Sequence, residues 1–184
     1  GMKKVFFSNS GAESNECAIK AARKYSHDKY GEGRHVIVTL VNSFHGRTIT
    51  TLSATGQDVF HQHFFPFTEG FIYTPANDID AALKALDNPA VCAIMMEPIQ
   101  GEGGVMPLDK EFVQVVTKYA HEHDQLVLID EVQTGNGRTG SLYAYQQFGI
   151  EPDVVSTAKG LAGGLPMGAR LFNEKMQYEL NAGA

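Results

Sequence analysis

An α/β fold of three layers (αβα), with a mainly parallel seven-stranded sheet between helices, is what this 184-residue chain predicts. Three observations lead there. Short apolar runs alternate with helix-forming segments along the whole chain. Residues 90–96 and Leu126-Val127-Leu128-Ile129 are apolar without a polar alternate, the pattern of strands buried on both faces. Chemistry-bearing residues then follow the runs directly, at the carboxyl ends where open α/β sheets hold their ligands. A chain of this length folding as one domain buries roughly 70% of its unfolded surface. No repeat period and no linker divides it.

Taken in order, Val5-Phe6-Phe7 is the first strand, and a helix follows from Ala12 to about Tyr25, with Ser10 and Glu13 at the S-x-x-E spacing of a capping box. The polar stretch 20–34 belongs to that helix's surface and the loop after it. Residues 35–40 are a β-branched strand. Residues 57–66 are irregular and rich in Phe and His. Residues 70–73 form a third strand, and Asn77-Asp78 caps a helix with Ile79, Ala82, Leu83 and Leu86 inward. After strand 90–96, a helix from about Asp109 turns Phe112, Val115, Val116 and Tyr119 inward. Strand 126–130 precedes the glycine-rich stretch 134–140. A helix over 142–148, a strand over 152–157 and a last strand over 167–172 complete the chain.

The net charge of −6, without any run of Lys or Arg, argues against nucleic acid or an anionic membrane as main partner. Small molecules are the expected partners. Cys17 and Cys92 lie far apart in apolar surroundings, there is no leader and no apolar run of about 18 residues, and the chain reads as cytoplasmic. His61 and His63 lack a further ligand at recognisable spacing, so no metal is expected. His121 and His123 fall on different helix faces and serve the helix end.

Asp130, ending a buried strand, needs a positive partner or a capping role. A magnesium-holding acid would require a G-x-x-x-x-G-K-[ST] loop, which the chain lacks. Ser10-Gly11-Ala12 opens a helix whose free N–H groups suit an anion, if they do more than cap. Phe44 and Arg47 combine an aromatic face with a carboxylate-matching fork, the alternative being a core ring and a surface ion pair. Lys159, between small residues and a glycine-rich loop, either snorkels or is a desolvated amine kept nucleophilic. With Gln133 added, the set fits pyridoxal 5'-phosphate (PLP). That cofactor needs an amine to bond its aldehyde, a carboxylate to keep its ring nitrogen protonated, and helix N–H groups for its phosphate.

At these residues the chain resembles the class III, fold-type I aminotransferases. The likeness is carried by Ser10-Gly11-Ala12-Glu13, Phe44-His45-Gly46-Arg47-Thr48, Glu97-Pro98-Ile99-Gln100-Gly101-Glu102-Gly103-Gly104, Asp130-Glu131-Val132-Gln133-Thr134-Gly135, Gly137-Arg138-Thr139-Gly140 and Ala158-Lys159-Gly160. The resemblance implies that Lys159 joins the cofactor and then moves a proton, and that Asp130 pairs with the ring nitrogen. It also implies Gln133 on the ring hydroxyl, Val132 under the ring and Phe44 over it. Ser10, Gly11 and Ala12 would bind the phosphate, Arg47 the substrate carboxylate, and Glu102 would pair with a gating arginine outside this chain.

By the same resemblance, residues 1–184 are the PLP-binding large domain, with small-domain segments expected beyond both ends, in a homodimer. The implied reaction moves the δ-amino group of N-acetylornithine to 2-oxoglutarate in arginine biosynthesis. Ornithine or 4-aminobutyrate are alternative donors. A cofactor-binding piece without turnover is the other reading. Two positions depart from the family: Asn136 stands where Met is common, and Arg170 puts a charge into a strand expected to be buried.

Overall fold

A computed structural model describes residues 1–180. Its elements are β1 (Lys4–Ser8), α1 (Gly11–Tyr30), β2 (Val36–Leu40), α2 (Ile49–Ala54), β3 (Phe71–Thr74), α3 (Ile79–Leu86) and β4 (Val91–Met96), then a two-stranded ribbon of β5 (Ile99–Gln100) and β6 (Met106–Pro107). They continue with α4 (Lys110–Glu122), β7 (Leu126–Asp130), α5 (Tyr145–Phe148), β8 (Val154–Thr157) and β9 (Gly168–Phe172). Seven strands form one sheet in the order β1-β9-β8-β7-β4-β2-β3. All neighbours among β8, β7, β4, β2 and β3 are parallel, and β9 runs antiparallel to both β8 and β1. The predicted fold class is therefore the observed one.

Strand alternation divides the core between two faces. Ala93, Met95, Leu126, Leu128 and Phe172 pack under α1 through Ala18, Ile19, Ala21 and Ala22. Ile94, Met96, Val127 and Ile129 face the opposite layer, built on Ala82 and Leu86 of α3 and on Phe112, Val116 and Ala120 of α4. This period of two decides the site: Asp130 follows Leu126 and Leu128 on the α1 face, so its carboxylate meets that helix.

Several local expectations need correction. Helix α1 runs five residues past Tyr25, because an exposed charged face with a Lys24–Asp28 pair one turn apart masks its later turns. In α4 the fully buried positions are Phe112, Val113, Val116, Thr117 and Ala120, while Val115 and Tyr119 are half-buried. The helix expected over 142–148 is confined to Tyr145–Phe148. Helix α2 was not anticipated. Its Ile and Thr residues are poor helix formers, and Thr48 as N-cap plus burial of Thr51, Leu52, Ser53 and Ala54 hold it.

Near the far end of the sheet, the Asp124 carboxylate accepts from Tyr25 (3.1 Å), Tyr30 (2.5 Å), Lys29 (2.8 Å) and Lys175 (2.6 Å). Partial burial alone would raise its pKa, but these donors hold it well below the usual carboxylate range. It ties the end of α1 to the turns before β7 and after β9.

Arg170 is the one long charged side chain among the most deeply buried residues, at 0% exposure. Its Nε donates to Ser14 O at 3.3 Å, and its guanidinium lies over Phe172 (5.2 Å) and Phe6 (5.7 Å). Nη1 and Nη2 have no partner among the described residues, and burial lowers the guanidinium pKa to about 10. Each unsatisfied buried donor costs about 1–3 kcal/mol. Arg170→Met, which keeps a flexible unbranched stem, though a shorter one, and removes the donors, should therefore stabilise the fold by about 1–3 kcal/mol, even after loss of the ring contacts. Urea unfolding of the two proteins tests this: an equal or lower midpoint for Met would show that the guanidinium is satisfied in solution.

Candidate active site

A cavity of about 490 Å³ opens at the carboxyl ends of β7 and β8 and the amino end of α1. Its size lies within the range of small-molecule sites. Ser10, Gly11, Ala12, Phe44, Arg47, Asp130, Val132, Gln133 and Lys159 all line it, so the fold brings these residues together. Glu102 is exposed in the turn between β5 and β6 and is not among the lining residues.

The floor is laid by α1. Ser10 caps it, its Oγ accepting from Glu13 N at 3.2 Å, while the Glu13 carboxylate accepts from Asn9 N at 2.6 Å and so completes a variant of the expected capping box. The first helical amides, those of Gly11 and Ala12, have no partner within the helix and belong to residues on the cavity wall. Gly11 is required by close approach: a Cβ there would lie 2.7 Å from Val132 Cγ1. An anion on the helix axis thus meets free N–H groups beside a backbone that no side chain shields.

Asp130, only 3% exposed, is held on every side. Its Oδ2 accepts from Asn15 Nδ2 (2.7 Å) and lies 2.8 Å from His45 Nδ1, and its Oδ1 accepts from Val132 N at 3.0 Å. Asn15 Nδ2 also donates to His45 O at 2.8 Å, locking the imidazole against the helix. The positive partner that the buried acid demanded is His45. Burial alone opposes the imidazolium, but the hydrogen bond and charge of Asp130, with the charge of Glu97, raise the His45 pKa above its ordinary value.

Glu97 is a further buried acid on the wall, and its Oε1 accepts from Phe44 N at 2.8 Å. Burial, aided by Asp130's charge and opposed by His45 and the amides of Phe44 and Gly101, raises its pKa from 4.5 to about 7. A carboxyl that binds its proton more tightly when folded contributes stability that is fully present below pH 4.5 and lost as pH rises through about 7. Glu97→Gln carries no titrating proton, so its stability relative to the parent should climb between those two pH values and then level off. A pH-independent difference in denaturation midpoints would refute that account.

Lys159 follows β8 with φ 45°, a left-handed conformation unusual for a side-chain-bearing residue, and its Nζ donates to Gln133 Oε1 at 2.7 Å. Its side chain is exposed at the cavity, so the expectation of a desolvated amine is not met in this chain. Asn136 Nδ2 donates to Thr157 Oγ1 (3.1 Å) and Ala158 O (3.0 Å), tying the glycine-rich stretch to the residues just before the lysine. Buried Glu131 fixes the same stretch, accepting from Thr134 Oγ1 at 2.5 Å and Tyr145 N at 2.7 Å.

Arg47 forms no ion pair among the described residues; its guanidinium lies 5.5 Å from the Phe44 ring and 4.9 Å from that of Phe60. Three histidines outside the site have local partners. His61 Nε2 donates to Leu52 O, His123 Nδ1 donates to Tyr119 O near the end of α4, and His121 pairs with Asp153 at 3.1 Å.

Asn15, His45 and Glu97 were not singled out from sequence. Asn15 carried a signal, being a polar residue on the stripe of α1 that also presents Ala18 and Ala22 to the sheet. An amine, a buried carboxylate 2.8 Å from a histidine, free helix amides and an aromatic wall in one cavity define a donor set that PLP fits.

The site and sheet together belong to the large α/β class of PLP-type domains. Comparison with known proteins narrows the class: residues 1–184 match Aminotransferase class-III, and the chain belongs to that family. It is 59% identical to the acetylornithine aminotransferase of Haemophilus ducreyi over 183 residues, covering 100% of this chain and 47% of that protein. It is 48% identical to the succinylornithine transaminase of Citrobacter koseri, covering 98% and 44%. Among solved structures, the ornithine aminotransferase of Toxoplasma gondii, with PLP at partial occupancy in its active site, superposes with a TM-score of 0.93. That match has 33% identity and covers 100% of this chain and 44% of that one. The chain thus spans less than half the length of these relatives.

Proposed function

We propose that residues 1–184 are the cofactor-binding large domain of a PLP-dependent aminotransferase that moves the δ-amino group of N-acetylornithine to 2-oxoglutarate, a step of arginine biosynthesis. The observation that carries this reading is the convergence of Lys159, Asp130 and the amino end of α1 on one cavity. The 59% identity to an acetylornithine aminotransferase supports the choice of donor.

When bound, PLP supplies an electron-accepting ring and an aldehyde carbon that carries the amino group. The residues of this chain do the rest. Lys159 would provide the amine that holds the cofactor and would serve as the proton carrier beside it. Asp130, backed by His45 and Asn15, keeps a proton on the ring nitrogen. Phe44 and Val132 would hold the ring by their apolar surfaces, and Gln133 would offer it a hydrogen bond. The amides of Gly11 and Ala12 and the hydroxyl of Ser10 bind the phosphate. Arg47 takes the substrate carboxylate in its fork. Glu102, away from the cavity wall here, serves as partner for an arginine contributed from outside this chain.

A homodimer in the cytoplasm is the proposed setting; Cys17 and Cys92 are unpaired, in keeping with a reducing compartment. No helix among the described residues is long and apolar enough to cross a membrane. N-succinylornithine is the second donor to consider, on the strength of the 48% match. The test is to offer the complete protein 2-oxoglutarate with N-acetylornithine, N-succinylornithine, ornithine or 4-aminobutyrate in turn and measure glutamate formed. The highest kcat/KM should belong to N-acetylornithine. A clear preference for ornithine or 4-aminobutyrate, or no transfer from any donor, would overturn the proposal.

A further inference from the structure

We infer that Phe60 is a positioning residue that sets the affinity of the site for the substrate carboxylate by holding Arg47 in place; this rests on the reading of Arg47 given above. Phe60 ends a short 3-10 turn, Asp58–Phe60, and is not among the residues lining the cavity. Its ring lies 4.9 Å from the Arg47 guanidinium carbon and meets the Phe44 ring edge-to-face, with centroids 5.8 Å apart at 68°. Arg47 is otherwise exposed and, among the described residues, unpaired by any acid.

An exposed arginine without such a wall samples many rotamers, and ordering it on binding would weaken the grip. Two aromatic rings against a planar cation reduce that freedom while leaving its N–H edges available for a bidentate carboxylate. The turn is itself fastened to the loop that carries Phe44 and Arg47. Gly56 N donates to Ser43 Oγ at 3.0 Å, Gln57 Nε2 donates to Ser43 O at 3.0 Å, and Asn42 N donates to Gly56 O at 2.7 Å. Behind it, His61 Nε2 donates to Leu52 O at 2.9 Å. Phe60 is therefore placed by the same framework that places the arginine, so the stack is fixed before any substrate arrives.

The experiment is a double-mutant cycle in the complete, cofactor-loaded protein, with N-acetylornithine as the probe and the PLP absorption spectrum recorded for each variant. Phe60→Leu should raise KM roughly three- to thirtyfold, the effect of one lost cation–π contact, with kcat and spectrum little changed. Phe60→Tyr, which keeps the ring, should restore KM. In an Arg47→Leu background, where KM is already high, Phe60→Leu should add nothing. Equal increases in both backgrounds, an unchanged KM in the parent background, or a Tyr variant no better than Leu would overturn the inference. If Arg47→Leu itself left KM unchanged, the assignment of Arg47 would fall first, and the role of Phe60 with it.

Discussion

Lys159→Ala in the complete protein is expected to lower turnover by roughly six orders of magnitude, the scale on which removing a covalent nucleophile acts. The lysine reaches the cavity from a left-handed backbone immediately after β8, and that strand end is clamped by Asn136 through Thr157 and Ala158. No other lysine lines the cavity, so no neighbouring amine among the described residues can substitute. Folding should be unaffected, because Lys159 is exposed and its hydrogen bond, to Gln133, is at the surface. Steady-state glutamate formation and a thermal melt together check this. A variant that keeps more than a hundredth of the parent rate would remove Lys159 from the chemistry.

Asp130→Asn should have the second-largest effect, a fall in kcat of about 10²- to 10³-fold, or roughly 3–4 kcal/mol of barrier, the scale on which losing one preorganised electrostatic group acts. The reason is geometric. Asp130 is buried with His45 2.8 Å away and with donors on both its oxygens, so a neutral amide keeps the shape but loses the charge that would hold a proton on a ring nitrogen facing it. It also leaves one amide N–H directed at existing donors, which is unfavourable in a buried network. The pH dependence should change too, because His45's raised pKa depends in part on the Asp130 charge. The imidazolium contributes stability that is full below its ordinary pKa, 6.5, and lost as pH rises through its higher folded value. In Asp130→Asn that contribution is diminished, and the stability difference from the parent should shrink toward alkaline pH. A kcat within tenfold of the parent would contradict the assigned role.

Six of the seven strands were legible in the sequence because they are built on large apolar or β-branched residues with glycine or polar residues close behind, whereas β9 (Gly168–Phe172) was readable only despite the charge of Arg170 within it. The capped starts of α1 and α3 were legible for the same local reason, since Ser10 and Asp78 act on amides three residues away. What local pattern could not supply was the meeting of distant side chains. Asn15 and Asp130 are 115 residues apart, and His45 and Asp130 are 85 apart; only the parity of β7 and the path of α1 bring them within hydrogen-bond distance. Glu97 was read as part of a loop, yet it is buried on the cavity wall, where burial raises its pKa to about 7. Phe60 lay in a stretch whose Phe and His residues carried no periodicity, so its stacking on Arg47 was invisible until the turn was placed. The charge expected to sit awkwardly in the last strand does so, for Arg170 is covered by α1 and the Phe6 ring and no carboxylate among the described residues meets it.

The central claim, that Lys159 is the amine that bonds the cofactor in this family member, is tested most directly by loading the complete protein with PLP, reducing with borohydride, and mapping the pyridoxyl label by mass spectrometry of the digest. The account places the label on Lys159, with its loss in Lys159→Ala. A label on another lysine, or stoichiometric labelling that survives the substitution, would contradict it.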